Sequence, residues 1–191
     1  MTAPPTFSEH ILMNPIFIIG YMASGKTTFG KALARRAGIQ HIDLDFYIEQ
    51  RFHCTIKDLF AKKGEAEFRR IETNMLHEVA EFSDVIISCG GGTPCFGDNM
   101  DYMNSRGLTV CLKTDDDVMA NRILRAGDKR PLMAGKSKEE IMETIRAHKM
   151  QRAPYYGKAR MSISGNRLES KSQISETVEV FFNSYLLNQA D

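Results

Sequence analysis

At 191 residues and 21.6 kDa the chain is long enough for one well-buried domain and short for two. Hydrophobic content of 42% and charged content of 26% are globular values, and a net charge of +1 lacks the basic excess of a nucleic-acid binder. No apolar run is long enough to span a bilayer, and Met1–His10 lacks the basic-then-apolar order of a secretory signal. The four cysteines, Cys54, Cys89, Cys95 and Cys111, follow no zinc or redox spacing, and the histidines are scattered. These features describe reduced, mostly buried thiols in a cytoplasmic protein, with no metal held by side chains alone.

Met1–Asn14 is weakly patterned and reads as a tail. From Pro15 onward short β-rich runs alternate with longer helical stretches. The expected strands are Ile16–Ile19, Gln40–Asp43, Asp84–Ser88, Leu108–Leu112 and Arg160–Ser164. The expected helices are Thr27–Ala37, closed by Gly38, then Glu65–Phe82, Thr114–Arg125, Lys138–Gln151 and Ser172–Leu187. Strand–helix alternation implies an α/β fold in three layers, a central five-stranded parallel sheet flanked by helices. Ala126–Ser137 interrupts the pattern with Gly and Lys and reads as a mobile lid.

Gly20-Tyr-Met-Ala-Ser24-Gly25-Lys26-Thr27 fits G-x-x-x-x-G-K-[S/T], follows an apolar strand and opens an amphipathic helix. In such a P-loop, backbone N–H groups and a helix N-terminus cradle phosphates. The Lys reaches the β/γ-phosphates and the Thr hydroxyl suits Mg²⁺. Gly20, Ser24, Gly25, Lys26, Thr27 and Thr28 are therefore the expected ATP-binding residues. The guanine-reading Asn-Lys-x-Asp element of GTPases is absent from the sequence.

Beyond the loop come His41-Ile-Asp43-Leu-Asp45, Glu65-Ala-Glu67-Phe68-Arg69-Arg70-Ile71-Glu72, Ser88-Cys89-Gly90-Gly91-Gly92, Arg130-Pro131-Leu132 and Arg152-Ala-Pro154-Tyr155-Tyr156. Carboxyl ends of parallel strands face the ligand crevice, so Asp43 and Asp45 project there. Three glycines at such a strand end let backbone approach a ligand closely. Arginine forks suit carboxylates.

In this order and behind a P-loop, these motifs resemble the shikimate kinase family over about Pro15–Arg167. The resemblance implies phosphorylation of shikimate to shikimate 3-phosphate by ATP and Mg²⁺, on a cytoplasmic monomer with shikimate as its small-molecule partner. It implies that Lys26, Asp45 and Arg130 are catalytic, with Asp45 orienting the acceptor hydroxyl and Arg130 closing over the phosphoryl group from the lid. By the same resemblance Arg69, Arg152, Gly90, Gly91 and Gly92 bind the acceptor, within a segment of about 46–72 and the turn after the third strand. Asp43 orders Mg²⁺ through water beside Thr27, with Ser88 a further candidate ligand. Arg122, Arg125 and Arg167 are alternative adenine contacts. Cys89 departs from the small residue usual at its position and reads as a buried, inert thiol. The alternatives are another small-metabolite P-loop kinase, such as a gluconate or nucleoside monophosphate kinase, or an ATP-binding regulatory module without turnover.

Helix geometry separates the two adjacent arginines. With Phe68 at zero and about 100° per residue, Ile71, Met75, Leu76 and Val79 centre near Phe68. Arg69 falls on the flank of that apolar face, three residues from Glu72, and Arg70 falls on the solvent side.

Overall fold

The computed structural model describes residues 14–127, 133 and 135–187. Five strands, β1 (Ile16–Ile19), β2 (Gln40–Asp43), β3 (Val85–Ser88), β4 (Leu108–Lys113) and β5 (Met161–Ser164), form one parallel sheet in the order β2-β3-β1-β4-β5. β1 lies between β3 and β4, with Ile18 opposite both Ser88 and Val110. β1 and β3 are wholly buried, whereas the edge strand β5 alternates half-buried and exposed. Central strands covered on both faces need apolar residues at every position, and an edge strand does not.

Successive side chains of β1 point to opposite faces. Ile16 and Ile18 pack with Phe29, Leu33, Val178 and Phe181, from α1 (Lys26–Ala37) and α7 (Lys171–Leu187). Phe17 and Ile19 pack on the other face with Leu44, Ile48, Phe68, Leu76, Met100 and Met103. Those residues come from α2 (Leu44–Phe52), α3 (Ile56–Val79) and α4 (Asn99–Arg106). A third cluster joins α5 (Asp116–Ala126) to α6 (Lys138–Tyr156) around Tyr21.

The expected strands stand within a residue of their observed bounds. The first difference, at Asp84, is a turn residue with φ 53°. The helices differ more. α2 is capped by Asp43, whose carboxylate accepts from the Phe46 N–H, so Asp45 sits in the first turn instead of capping it. α3 begins nine residues before Glu65, capped by Thr55, and is broken at Gly64 (φ 75°, ψ 170°), a backbone conformation open only to glycine. α4 has a mostly polar sequence and was not among the expected helices. α6 continues through Pro154 to Tyr156. The tail residues 1–13, and Arg130 and Pro131 of the expected lid, lie outside the described residues.

Candidate active site

The P-loop hangs from the carboxyl end of the central strand. Gly20 (φ 145°), Ala23 (φ 60°) and Gly25 (φ 101°) all turn through positive φ. At Gly25 a Cβ would come within 2.5 Å of Leu168 Cδ1, so glycine serves both the turn and the packing beneath it. The loop, the ends of β2 and β3, and the segment after β5 enclose a cleft of about 540 Å³. Gly25, Lys26, Thr27 and Thr28 line it. Gly20 and Ser24 instead shape the loop from below. Ser24 is fully buried, and its carbonyl accepts from Thr114 Oγ1 at 3.1 Å. Lys26 Nζ donates to the Tyr21 carbonyl at 2.9 Å, folded back over its own loop.

Thr27 Oγ1 donates to Asp43 Oδ2 at 2.7 Å, placing a hydroxyl and a carboxylate side by side at the cleft. Ser88 does not join them. It is 2% exposed, donates to the Lys26 carbonyl at 3.2 Å and meets His41 Nε2 at 3.0 Å beneath the first turn of α1. The expectation that it binds metal finds no support in that placement. Asp45 is open to cleft solvent yet hemmed in by protein. That confinement, then the charges of Asp43 and Glu72, push its carboxyl up to about 6 against the pull of Lys26.

The turn after β3 brings Asp45, Arg152 and Arg69 together, one glycine to each. A Cβ on Gly90 would lie 3.0 Å from Asp45 Oδ1, on Gly91 3.4 Å from Arg152 Nη1, and on Gly92 2.9 Å from Arg69 Nη2. A side chain at Gly90 or Gly92 would force its neighbours to shift, whereas at Gly91 it would just touch Arg152. Arg152 Nη1 also donates to the Gly91 carbonyl at 3.1 Å.

Arg69 occupies the flank that helix geometry assigns to it. Its side chain is 19% exposed and donates to Glu72 Oε2 at 2.8 Å, whereas Arg70 is 66% exposed and pairs with Glu67 at the surface. Glu72 is itself buried and accepts a 2.6 Å bond from Thr93 Oγ1. Phe96 lies under the Arg69 guanidinium at 4.0 Å. Thr93 and Phe96 carried no sequence signal, because nothing in Thr93-Pro94-Cys95-Phe96 reveals that a 3-10 turn folds it against α3. Tyr156, quoted within a motif but given no role, donates its hydroxyl to the Gly91 carbonyl at 2.6 Å.

The three adenine candidates separate. Arg122 donates from Nη1 to the Ala23 and Ser24 carbonyls, from Nη2 to those of Gly165 and Asn166, and from Nε to Glu169. It locks the P-loop to the β5–α7 connection and lines the cleft with Arg125. Arg167 is 65% exposed, pairs with Glu176 and is not part of the cleft wall. Cys89 is buried, and burial raises its thiol far above the ordinary range, so it is inert.

The strand order, the phosphate-binding loop at the switch point and the paired carboxylates define a P-loop kinase. A family model for shikimate kinase matches residues 22–182, and the chain belongs to the shikimate kinase family, enzymes that phosphorylate shikimate with ATP. A shikimate kinase of Bacteroides fragilis is 51% identical over 86% of this chain and 92% of its own length. One from Phocaeicola vulgatus is 51% identical over 87% and 95%. The crystal structure of shikimate kinase from Bacteroides thetaiotaomicron superposes with a TM-score of 0.86 at 48% identity, covering 91% of this chain and 98% of that one. The enzyme from Acinetobacter baumannii in complex with shikimate gives 0.81 at 28% identity, covering 94% and 96%.

Proposed function

We propose that this chain transfers the γ-phosphoryl group of ATP to a hydroxyl of shikimate, with the two ends of the cleft dividing the work. The observation that carries the reading is the Gly90–Gly92 turn beside the P-loop, whose successive glycines lie against Asp45, Arg152 and Arg69. Arg69 and Arg152 bind the acceptor carboxylate. Asp45 accepts hydrogen bonds from the acceptor hydroxyls. With a pKa of about 6 it is mostly ionised at neutral pH, close enough to the working range to take the proton of the attacking hydroxyl. Lys26 exchanges the Tyr21 carbonyl for phosphate oxygens, and Arg122 and Arg125 border the adenine. Arg130, outside the described residues, closes over the transferring group. Positioning and charge stabilisation supply the catalysis.

Thr27 Oγ1 and Asp43 are hard oxygen donors and fit Mg²⁺, leaving most of its shell to phosphate and water, as that ion prefers. Bound there, the ion would neutralise charge developing on the phosphates. No helix among the described residues is long and apolar enough to cross a membrane, and the four cysteines are unpaired; both features accord with the cytoplasm.

The test is ADP release with MgATP and a panel of acceptors. Rapid release with shikimate, and slow release with gluconate, nucleoside monophosphates or water, is expected. Equal rates with gluconate would remove the acceptor assignment and leave the kinase class.

A further inference from the structure

Tyr21 is the second residue of the P-loop, a position where phosphate binding uses backbone and asks nothing of the side chain. It is nevertheless 2% exposed. Its ring leaves the loop and packs among Met119, Ile123 and Ile145 of α5 and α6. The phenol oxygen lies 2.8 Å from His148 Nδ1. The Arg152 guanidinium carbon sits 5.1 Å from the ring centroid, and the backbone carbonyl accepts Lys26 Nζ. His148 and Arg152 are four residues apart on α6 and so share one side of that helix. Burial, then the cations of Arg152 and Lys136, keep the His148 ring below its ordinary pKa. The imidazole is thereby kept neutral, and in the tautomer with its proton on Nε2 its Nδ1 accepts from the phenol.

We propose that Tyr21 is a positioning residue for the acceptor. Through His148 and the face of its ring it ties α6 to the P-loop, fixing where Arg152 meets the substrate carboxylate relative to the phosphate end of the cleft. This rests on the assignment of Arg152 made under Proposed function. A residue that only filled the core would do as well as phenylalanine, since a buried hydroxyl brings a desolvation cost that only its hydrogen bond offsets.

Steady-state kinetics on Tyr21→Phe, His148→Ala, the double variant and Arg152→Ala test it. Tyr21→Phe keeps the ring, so its thermal midpoint should stay near that of the wild type. Its KM for shikimate should rise about three- to tenfold, the loss expected of one hydrogen bond, with kcat and the KM for ATP within about twofold. His148→Ala should show the same rise and the double variant no more, because both remove one contact. The analogue of shikimate with hydroxymethyl in place of the carboxylate should be turned over equally by wild type and Tyr21→Phe, an outcome general loosening would not give. An unchanged shikimate KM, an equal loss on the analogue, or additive effects in the double variant would overturn the proposal. If Arg152→Ala raises the shikimate KM and Tyr21→Phe does not, the clamp stands and only the positioning role falls. If Arg152→Ala leaves that KM unchanged, the clamp assignment itself is wrong and the proposal goes with it. Should Tyr21→Phe fold poorly, His148→Ala, at a half-buried position, carries the same comparison.

Discussion

The two ends of the cleft are built on different principles. The phosphate end is one contiguous segment, Gly20–Thr28, whose working groups are backbone amides, one lysine and one hydroxyl. The acceptor end draws on α2, α3, the turn after β3 and α6, and rests on a buried side-chain network. In it Thr93 bonds to Glu72, Glu72 to Arg69, and Arg69 stacks on Phe96. A backbone cradle tolerates loss of a side chain without unfolding, whereas a buried charge network does not. Function and stability should therefore separate at the first end and move together at the second.

Lys26→Ala gives the largest effect and isolates the first half of that contrast. Turnover should fall on the order of a thousandfold, since a charge aimed at the transferring phosphoryl group is lost. The thermal midpoint should barely move. Co-loss of stability would show that the loop is not independent of its side chains.

Glu72→Ala probes the other end. It leaves the partly buried Arg69 without its buried partner, and denaturant titration should show a loss of about 3 kcal/mol, the usual cost of breaking such a pair. Arg69→Ala should weaken shikimate binding about ten- to a hundredfold, as expected when a charge-assisted contact is removed. Calorimetry should find ATP binding intact. The reverse pattern, with ATP affinity lost, would place Arg69 at the wrong end of the cleft. Arg70→Ala, on the solvent side of the same helix, should stay within a few-fold of wild type.

Asp45 sharpens the comparison through pH. Activity that needs its carboxylate should rise as pH climbs through about 6 and then level off. Its pKa is higher folded than unfolded, so the folded state holds the proton more tightly. The stabilisation from that proton is complete below about 4 and is lost as pH rises through about 6. Asp45→Asn should accordingly gain stability relative to wild type at pH 7 and not at pH 4. A constant difference between the two pH values would mean the group titrates normally.

The same contrast explains what could be read from the sequence. The P-loop, the strands and the opposite fates of Arg69 and Arg70 follow from local spacing and periodicity, and the structure has them where that spacing puts them. Thr93 and Phe96 could not be found that way, because their partners lie on α3 and only the chain path joins them. α2 and the first part of α3 are short, capped and interrupted by Gly64, so no long apolar period marks them. Arg122 was legible, through the family resemblance, only as one of three alternative adenine contacts. Its role in bolting the loop to the β5–α7 connection was not, since four of its acceptors are backbone carbonyls that carry no residue signature.

The place of β1 in the sheet has a consequence for how the protein comes apart. Bonded on one side to β3 and on the other to β4, Phe17–Ile19 has no edge from which to fray, whereas β5 has one. Amide hydrogens of β1 should exchange with solvent only when the whole chain opens, and those of β5 through smaller, cheaper openings. The P-loop continues β1 but is tied by Arg122 to the β5–α7 connection, so nucleotide affinity should weaken in mild denaturant once the β5 edge begins to breathe, and vanish together with the last of the sheet.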